Sequence, residues 1–335
     1  MIQIDGSIGE GGGQILRTAL GLSLVTGRPF HITNIRARRR KPGLMRQHLT
    51  AVRAAAEIGN AHLVGDEVCS NYLIFHPVTV QPGAYHFSIG TAGSCTLVMQ
   101  TVLPALLLAD QPSELVIEGG THNPMAPPFD FLQTTFLPRL VDMGAKVAAT
   151  LERPGFYPAG GGRVRIEIEP ARRLKPLRLE TFTHFKISAQ VICAQLPEHI
   201  GRRELNSVKQ KLEVEEQHLE IILIDEHGPG NTLNIFVHSD SLTETFTGFG
   251  QKNVRAEKVA KDTVKEVLSY LRASAPVGPY LADQLLIPMA LAGSGSFRTT
   301  TPSKHTTTNM HVIQQFLDVE FTALQINEKT WEIKL

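Results

Sequence analysis

Cys95-Thr96-Leu97-Val98-Met99-Gln100-Thr101-Val102-Leu103-Pro104 sets one amide on an apolar helical surface, four residues before a proline. The spacing returns in Gln284-Leu285-Leu286-Ile287-Pro288, and Arg17-Thr18-Ala19-Leu20-Gly21 is a third version. Each run therefore carries a polar residue four positions ahead of a helix-weakening Gly or Pro. Outward from these points one layout repeats: a helix, a short strand, a polar loop and a second helix. In the first copy these are expected over residues 15–25, 30–35, 36–43 and 44–58. In the second they fall over 95–109, 114–118, 119–128 and 129–143. The third has a helix over 281–292, a strand over 296–299, a loop holding His305 and a helix over 309–317. With the same offset Arg39 falls on His122, and His305 lies within one residue of the third equivalent. Repetition on this scale indicates stacked supersecondary units that share a core.

Alternating runs at 71–75, 85–89 and 164–168 supply further strands, each bounded by Gly or Pro. Between His184 and Ser274 the character changes. Strands are expected over 185–193, 219–224, 232–238 and 243–249, with helices near 204–212 and 256–271. The last helix carries Val259, Val264, Val267 and Leu271 on one face. Residues 184–274 thus read as a self-sufficient α/β domain inserted in the third unit, with residues 1–183 and 275–335 forming the core. The fold class is α/β of the α+β type, with three repeated βαβαββ-like units and one smaller inserted domain.

A chain of 335 residues has room for that arrangement. A net charge of +1 requires any nucleic-acid surface to be local. Cys69, Cys95 and Cys193 lie far apart without metal-ligand spacing, which suits thiols in a reducing compartment. The opening Met1-Ile2-Gln3-Ile4-Asp5-Gly6 has no basic or apolar leader. The longest uncharged apolar run, 94–109, falls short of the ~20 residues of a membrane span. The expectation is a cytoplasmic chain without a membrane partner.

Several stretches carry chemistry. Thr301-Pro302-Ser303-Lys304-His305-Thr306-Thr307-Thr308-Asn309 places an imidazole among hydroxyls at the opening of a helix, where free N–H groups receive anions. Gly9-Glu10-Gly11-Gly12-Gly13-Gln14 lies between strand and helix, as phosphate-cradling loops do, but matches neither Walker A nor G-x-G-x-x-G. Glu10 suits phosphate only with a divalent metal between them. Arg36, Arg38, Arg39, Arg40, Lys41, Arg46 and Arg53 form a basic block without an acid, a local anion site beside Gln47 and His48. The loop Thr121–Pro128 offers prolines as a flat wall for a base. Tyr280-Leu281-Ala282-Asp283-Gln284 brings together a ring, a carboxylate and an amide suited to a nucleoside.

Taken together these stretches resemble the RNA 3'-terminal phosphate cyclases. The likeness also covers Arg39-Arg40-Lys41-Pro42-Gly43-Leu44, Gly93-Ser94-Cys95-Thr96 and Gly155-Phe156-Tyr157-Pro158-Ala159-Gly160-Gly161-Gly162. Pro154 stands where the family commonly has His, and His122 where Asp is common. The resemblance implies units like those of the C-terminal domain of a translation initiation factor. It also implies a ligase forming a phosphoric ester bond, with ATP, a divalent cation (Mg²⁺ or Mn²⁺) and an RNA ending in a 3'-phosphate. His305 would take AMP from ATP, pass it to the RNA phosphate, and a 2'-hydroxyl would close the cyclic ester. Gln100, Pro127, Arg17, Arg36, Arg39, Gln47, His48 and all five of Tyr280–Gln284 would belong to the ATP site, with Glu10 at the metal. An imidazole of ordinary pKa near ~6.5 is largely neutral and nucleophilic at pH 7.

No protein partner is implied, and a homodimer is compatible. Two other readings share the fold: a non-catalytic cyclase-like ribosome-assembly protein, which lacks the histidine, and an enolpyruvyl transferase, which needs none. Removing residues 184–274 is expected to leave nucleotide chemistry intact, because no ATP-site residue lies there. His305 is preferred over His48 and His122 for its helix-opening surroundings and lack of a flanking arginine.

Overall fold

The computed structural model describes residues 1–225 and 227–335. Three four-stranded sheets share one arrangement. The first orders Ile2–Asp5, Phe30–Thr33, Leu73–His76 and His62–Val64; the second orders Ala84–Ser88, Ser113–Gly119, Gly162–Glu169 and Lys146–Arg153. The third orders Leu177–Leu179, Gly295–Thr299, Trp331–Lys334 and Thr322–Gln325. In each, the first two strands run parallel and the remaining pairs antiparallel. A parallel pair needs a crossover, and a helix makes it: Gly13–Thr26 in the first sheet and Cys95–Leu107 in the second. The mixed α/β architecture is therefore of the α+β type.

One hydrophobic cluster runs through all three sheets, from Ile4 to Ile333. Its centre is legible in local sequence. Every residue of Cys95–Leu107 except Gln100 is buried, as an apolar run surrounded by protein on all sides must be. Gly21 lets Gly13–Thr26 meet that helix closely, since a Cβ there would sit 2.8 Å from the Thr101 carbonyl oxygen.

Apart from Glu198–Leu212, which begins ahead of the expected 204–212, three helices depart from expectation. The helix expected over 281–292 is two, Pro279–Gln284 and Leu286–Ala292. Pro288 has no N–H for the Gln284 carbonyl and its ring crowds that oxygen. The helix expected over 129–143 contains a π-turn, Leu132–Phe136, between Phe129–Phe131 and Leu137–Asp142. Pro138 likewise deprives Thr134 of its helical donor. The third, expected over 309–317, starts early, at Lys304, because Ser303 caps it: its Oγ accepts the Thr306 N–H at 3.1 Å. His305 therefore stands in the first helical turn rather than in the loop before it.

A fourth sheet orders Leu219–Ile224, Lys186–Ala194, Gly230–His238 and Thr243–Phe249. Helices Glu198–Leu212 and Ala256–Ala273 pack on it around a separate hydrophobic cluster that includes Val191, Ile235, Phe246 and Val267. Among the described residues no helix is long and apolar enough to cross a membrane.

Candidate active site

A cleft of about 770 Å³ opens beside the first turn of Lys304–Phe316. Gln14, Arg17, Gln100, Pro127, Tyr280, Asp283, Gln284 and His305 all line it. Residues far apart in the chain meet here because the helices of three sheets converge on the common core. Thr18 Oγ1 donates to Asn309 Oδ1 at 2.7 Å, and Asn309 Nδ2 donates to the Asp283 carbonyl at 2.8 Å. Those two bonds fix the helix bearing His305 against the other two.

The orientation of His305 follows from its neighbours. Gln14 Nε2 donates to Asp283 Oδ2 at 2.6 Å, which turns Gln14 Oε1 toward His305 Nδ1 at 3.0 Å. An acceptor at that nitrogen calls for Nδ1–H, leaving the lone pair on Nε2. Nearly half of the side chain (48%) is open, and Nε2 lies 3.8 Å from Glu10 Oε1. Burial, Arg17 and Arg39 all lower the imidazole pKa, so the neutral form is favoured. The expectation that no arginine flanks His305 is corrected: two approach it in space, and their charge adds to burial in lowering its pKa.

Burial dominates the neighbouring charges. Asp283 is pushed up to about 7 by burial, against the pull of Arg17 and the Gln14 hydrogen bond. Arg17 is lowered to about 10, by burial first, with Asp283 opposing and Arg36 adding to it. His48 is pushed down to about 3 by burial and by Arg17, Arg36 and Arg39. His48 is thus neutral as well, but it is packed against Gly13 behind the glycine loop and does not line the cleft.

The remaining candidates divide by where they point. Gln100 Nε2 donates to Gln284 Oε1, and Gln284 Nε2 donates to the Tyr280 carbonyl at 2.7 Å. The lone amides of two apolar helices therefore meet on one cleft wall. Thr96 Oγ1 holds the Pro127 carbonyl at 2.7 Å, and the Ser94 N–H donates to Gln47 Oε1 at 2.7 Å. Arg39 pairs with Glu10. Arg36, by contrast, donates to the Lys41 and Gly43 carbonyls at 2.7 and 2.8 Å and ties its own loop. Leu281 and Ala282 are buried in the core (0% and 1% exposed) and do not line the cleft. His122 is also enclosed. Its Nδ1 meets Thr121 Oγ1 at 2.7 Å, its Nε2 meets Asp130 Oδ2 at 2.8 Å, and its ring stacks on Phe156.

Two features escaped the sequence. Gln14 registers there only as a departure from a dinucleotide motif, although it links His305 to Asp283. The second is the far wall: Thr245, Thr247, Phe249 and Glu266, all within residues 184–274, also line the cleft. This segment, in which no ATP-site residue was expected, thus contributes to the wall of the cleft.

For a cation, the donor set is sparse. Among the described residues no three His, Cys, Asp or Glu side chains gather as a metal cage. Glu10 keeps one buried oxygen, Oε2, without a hydrogen-bond partner. A single carboxylate with an idle oxygen, its other oxygen 3.8 Å from His305 Nε2, fits a Mg²⁺-type ion shared with phosphates, not an all-protein site.

The family model described as RNA 3'-terminal phosphate cyclase matches residues 8–323. The chain belongs to the RNA 3'-terminal phosphate cyclase family. An RNA 3'-terminal phosphate cyclase from Ectopseudomonas mendocina (strain ymp) is 50% identical over 336 residues, covering 100% of this chain and 98% of that protein. This is an enzyme of the cyclase family. Neither of the two positions expected to depart from the family pattern, Pro154 and His122, lines the cleft. Pro154 lies at a second, charged hollow with Glu152, Arg163 and Asp225, and His122 is enclosed as described.

Proposed function

We propose that this cyclase converts an RNA 3'-terminal phosphate to a 2',3'-cyclic phosphodiester at the expense of ATP, in three displacements. His305 Nε2 attacks the α-phosphorus of ATP and pyrophosphate leaves. An oxygen of the RNA 3'-phosphate then attacks the histidine-bound phosphorus, giving RNA-(3')pp(5')A and free imidazole. The 2'-hydroxyl finally attacks the RNA phosphorus, AMP leaves, and the hydroxyl proton passes to solvent. Dividing one difficult displacement this way lowers each barrier.

The observation that carries this reading is the Asp283–Gln14–His305 relay, which leaves a lone pair on Nε2 at the cleft opening. Arg17 and Arg39 place positive charge where pyrophosphate would depart. Gln100 and Gln284 offer amides to the nucleoside, with Pro127 and Tyr280 flanking a base. Glu10 would hold a divalent cation, Mg²⁺ or Mn²⁺, which supplies charge neutralisation for the phosphates. One chain provides every group in this scheme, and a cytoplasmic location suits it. We read the three sheets of equal order as three βαβαββ repeats, and residues 184–274 as a domain inserted in the third.

Incubation with α-labelled ATP and Mg²⁺ tests the scheme. Label is expected to survive denaturation, map to the peptide containing His305, resist alkali and be lost in mild acid, as a phosphoramidate is. Label on Lys304, His48 or His122 would overturn it.

A further inference from the structure

The base proposed above would lie between Pro127 and Tyr280, which belong to different sheets of the core. Within the core, helix Cys95–Leu107 bridges them, with Thr96 on the Pro127 carbonyl and Gln100 on Gln284; residues 184–274 supply a second, separate bridge. Strand Thr243–Phe249 reaches both sides. Toward Pro127, Thr245 Oγ1 lies 2.8 Å from both Thr134 Oγ1 and Thr135 Oγ1, and Arg139 Nη1 donates to the Ser241 carbonyl at 2.5 Å. Both threonines lie in the π-turn. It continues the helical segment that begins just after Pro128.

Toward Tyr280, Glu244 is 1% exposed, and its Oε1 accepts the Gly278 N–H at 2.5 Å. Gly278 is the N-cap of Pro279–Gln284, which carries Tyr280, Asp283 and Gln284. In a capping box the acceptor of the N-cap N–H comes from the helix itself; here it comes from another sheet. The approach is tight: a Cβ on Gly278 would lie 2.9 to 3.0 Å from the Glu244 carboxyl atoms. A second tie follows at the surface, where Tyr280 Oη donates to Glu266 Oε2 at 3.2 Å.

We propose that Glu244 is a positioning residue for the nucleotide, holding the helix of Tyr280 and Asp283 at a set distance from the Pro127 wall. Thr245 anchors the same strand on the opposite side. Residues 184–274 thereby act on nucleotide binding through the frame as well as by lining the cleft. This inference rests on the proposed use of ATP by the cleft.

The test compares wild type, Glu244→Ala and Glu244→Gln in self-adenylylation with α-labelled ATP, and in ATP titration by calorimetry. An orphaned buried N–H at Gly278 should raise the half-saturating ATP concentration of Glu244→Ala about tenfold. Single-turnover labelling at saturating ATP should stay within about twofold of wild type, since Asp283 keeps its own ties to Asn309 and to the Gln14 that orients His305. Glu244→Gln keeps an acceptor and should recover most of the affinity. A lowered melting temperature with unchanged half-saturation would show a merely structural residue and overturn the proposal. If Glu244→Ala does not fold, Thr245→Val carries the test, with a smaller rise expected and an unchanged value again fatal. A wild type that binds ATP but takes no label would refute the covalent scheme, and the calorimetric comparison would still decide on Glu244. A wild type that binds no ATP would remove both.

Discussion

Two strands at corresponding places in their sheets, Ser113–Gly119 and Gly295–Thr299, each lead toward a histidine, and the two histidines end in opposite conditions. His122 has a hydrogen-bond partner on each nitrogen and an aromatic ring on its face. His305 has one nitrogen engaged by Gln14 and the other open to the cleft. Equivalent position in a fold does not confer equivalent chemistry. What separates the two rings is whether a lone pair has been left over once the hydrogen bonds are assigned.

The sharpest way to break this comparison is to exchange the expected fates. His305→Asn should cut self-adenylylation by about a thousandfold or more, as loss of a nucleophile does. ATP affinity by calorimetry should remain near wild type. Equal losses in His122→Asn would dissolve the distinction.

Next in size is the relay behind His305. Gln14→Ala removes the acceptor that fixes the tautomer, and single-turnover labelling should slow by about 10- to 100-fold. A rate unchanged from wild type would mean that Nε2 needs no such orientation.

His122→Ala should leave the labelling of folded protein intact while lowering stability by about 1 to 3 kcal/mol, because the Asp130 carboxylate loses a buried partner. Urea titration measures that loss. A variant as stable as wild type would mark the His122 contacts as dispensable.

The smallest effect concerns pH. The His305 pKa is lowered, so the acid limb of the labelling rate should fall below the ordinary value of ~6.5. The folded state then binds its proton later than the unfolded chain does. Any stability owed to neutral His305 is full above that value and is lost as pH falls toward the folded pKa. Arg39→Ala removes one cation and frees Glu10, and both changes should move the limb upward. A downward shift would contradict the electrostatic account.

Much of this was readable from sequence. The strands over 219–224 and 243–249 occur with those bounds, and Gln100 and Gln284, marked by their spacing alone, touch. A polar residue on an otherwise apolar helix has few places to go, so such a pair is informative. Other features gave no signal. Strands His62–Val64 and Leu177–Leu179 are three residues each, too short to show alternation. Lys146–Arg153 does alternate in burial, but Ala148, Ala149 and Thr150 blur the pattern in the letters. The basic block revealed charge but not direction, and Arg36 spends its guanidinium on its own loop. The wall from Thr245 to Glu266 has no motif, because it is assembled by docking and not by spacing.

The two hydrophobic clusters also differ in when they can close during synthesis. The cluster within the fourth sheet draws on nothing beyond Tyr270 among its buried members. The large cluster waits for Ile333, fully buried on a strand interior to the third sheet. A growing chain can therefore complete the later-begun module while the earlier-begun one is still open. Until residues 331–334 leave the ribosome, the apolar surfaces of two finished sheets face an unfinished third. That interval is when a chaperone would find the most to hold.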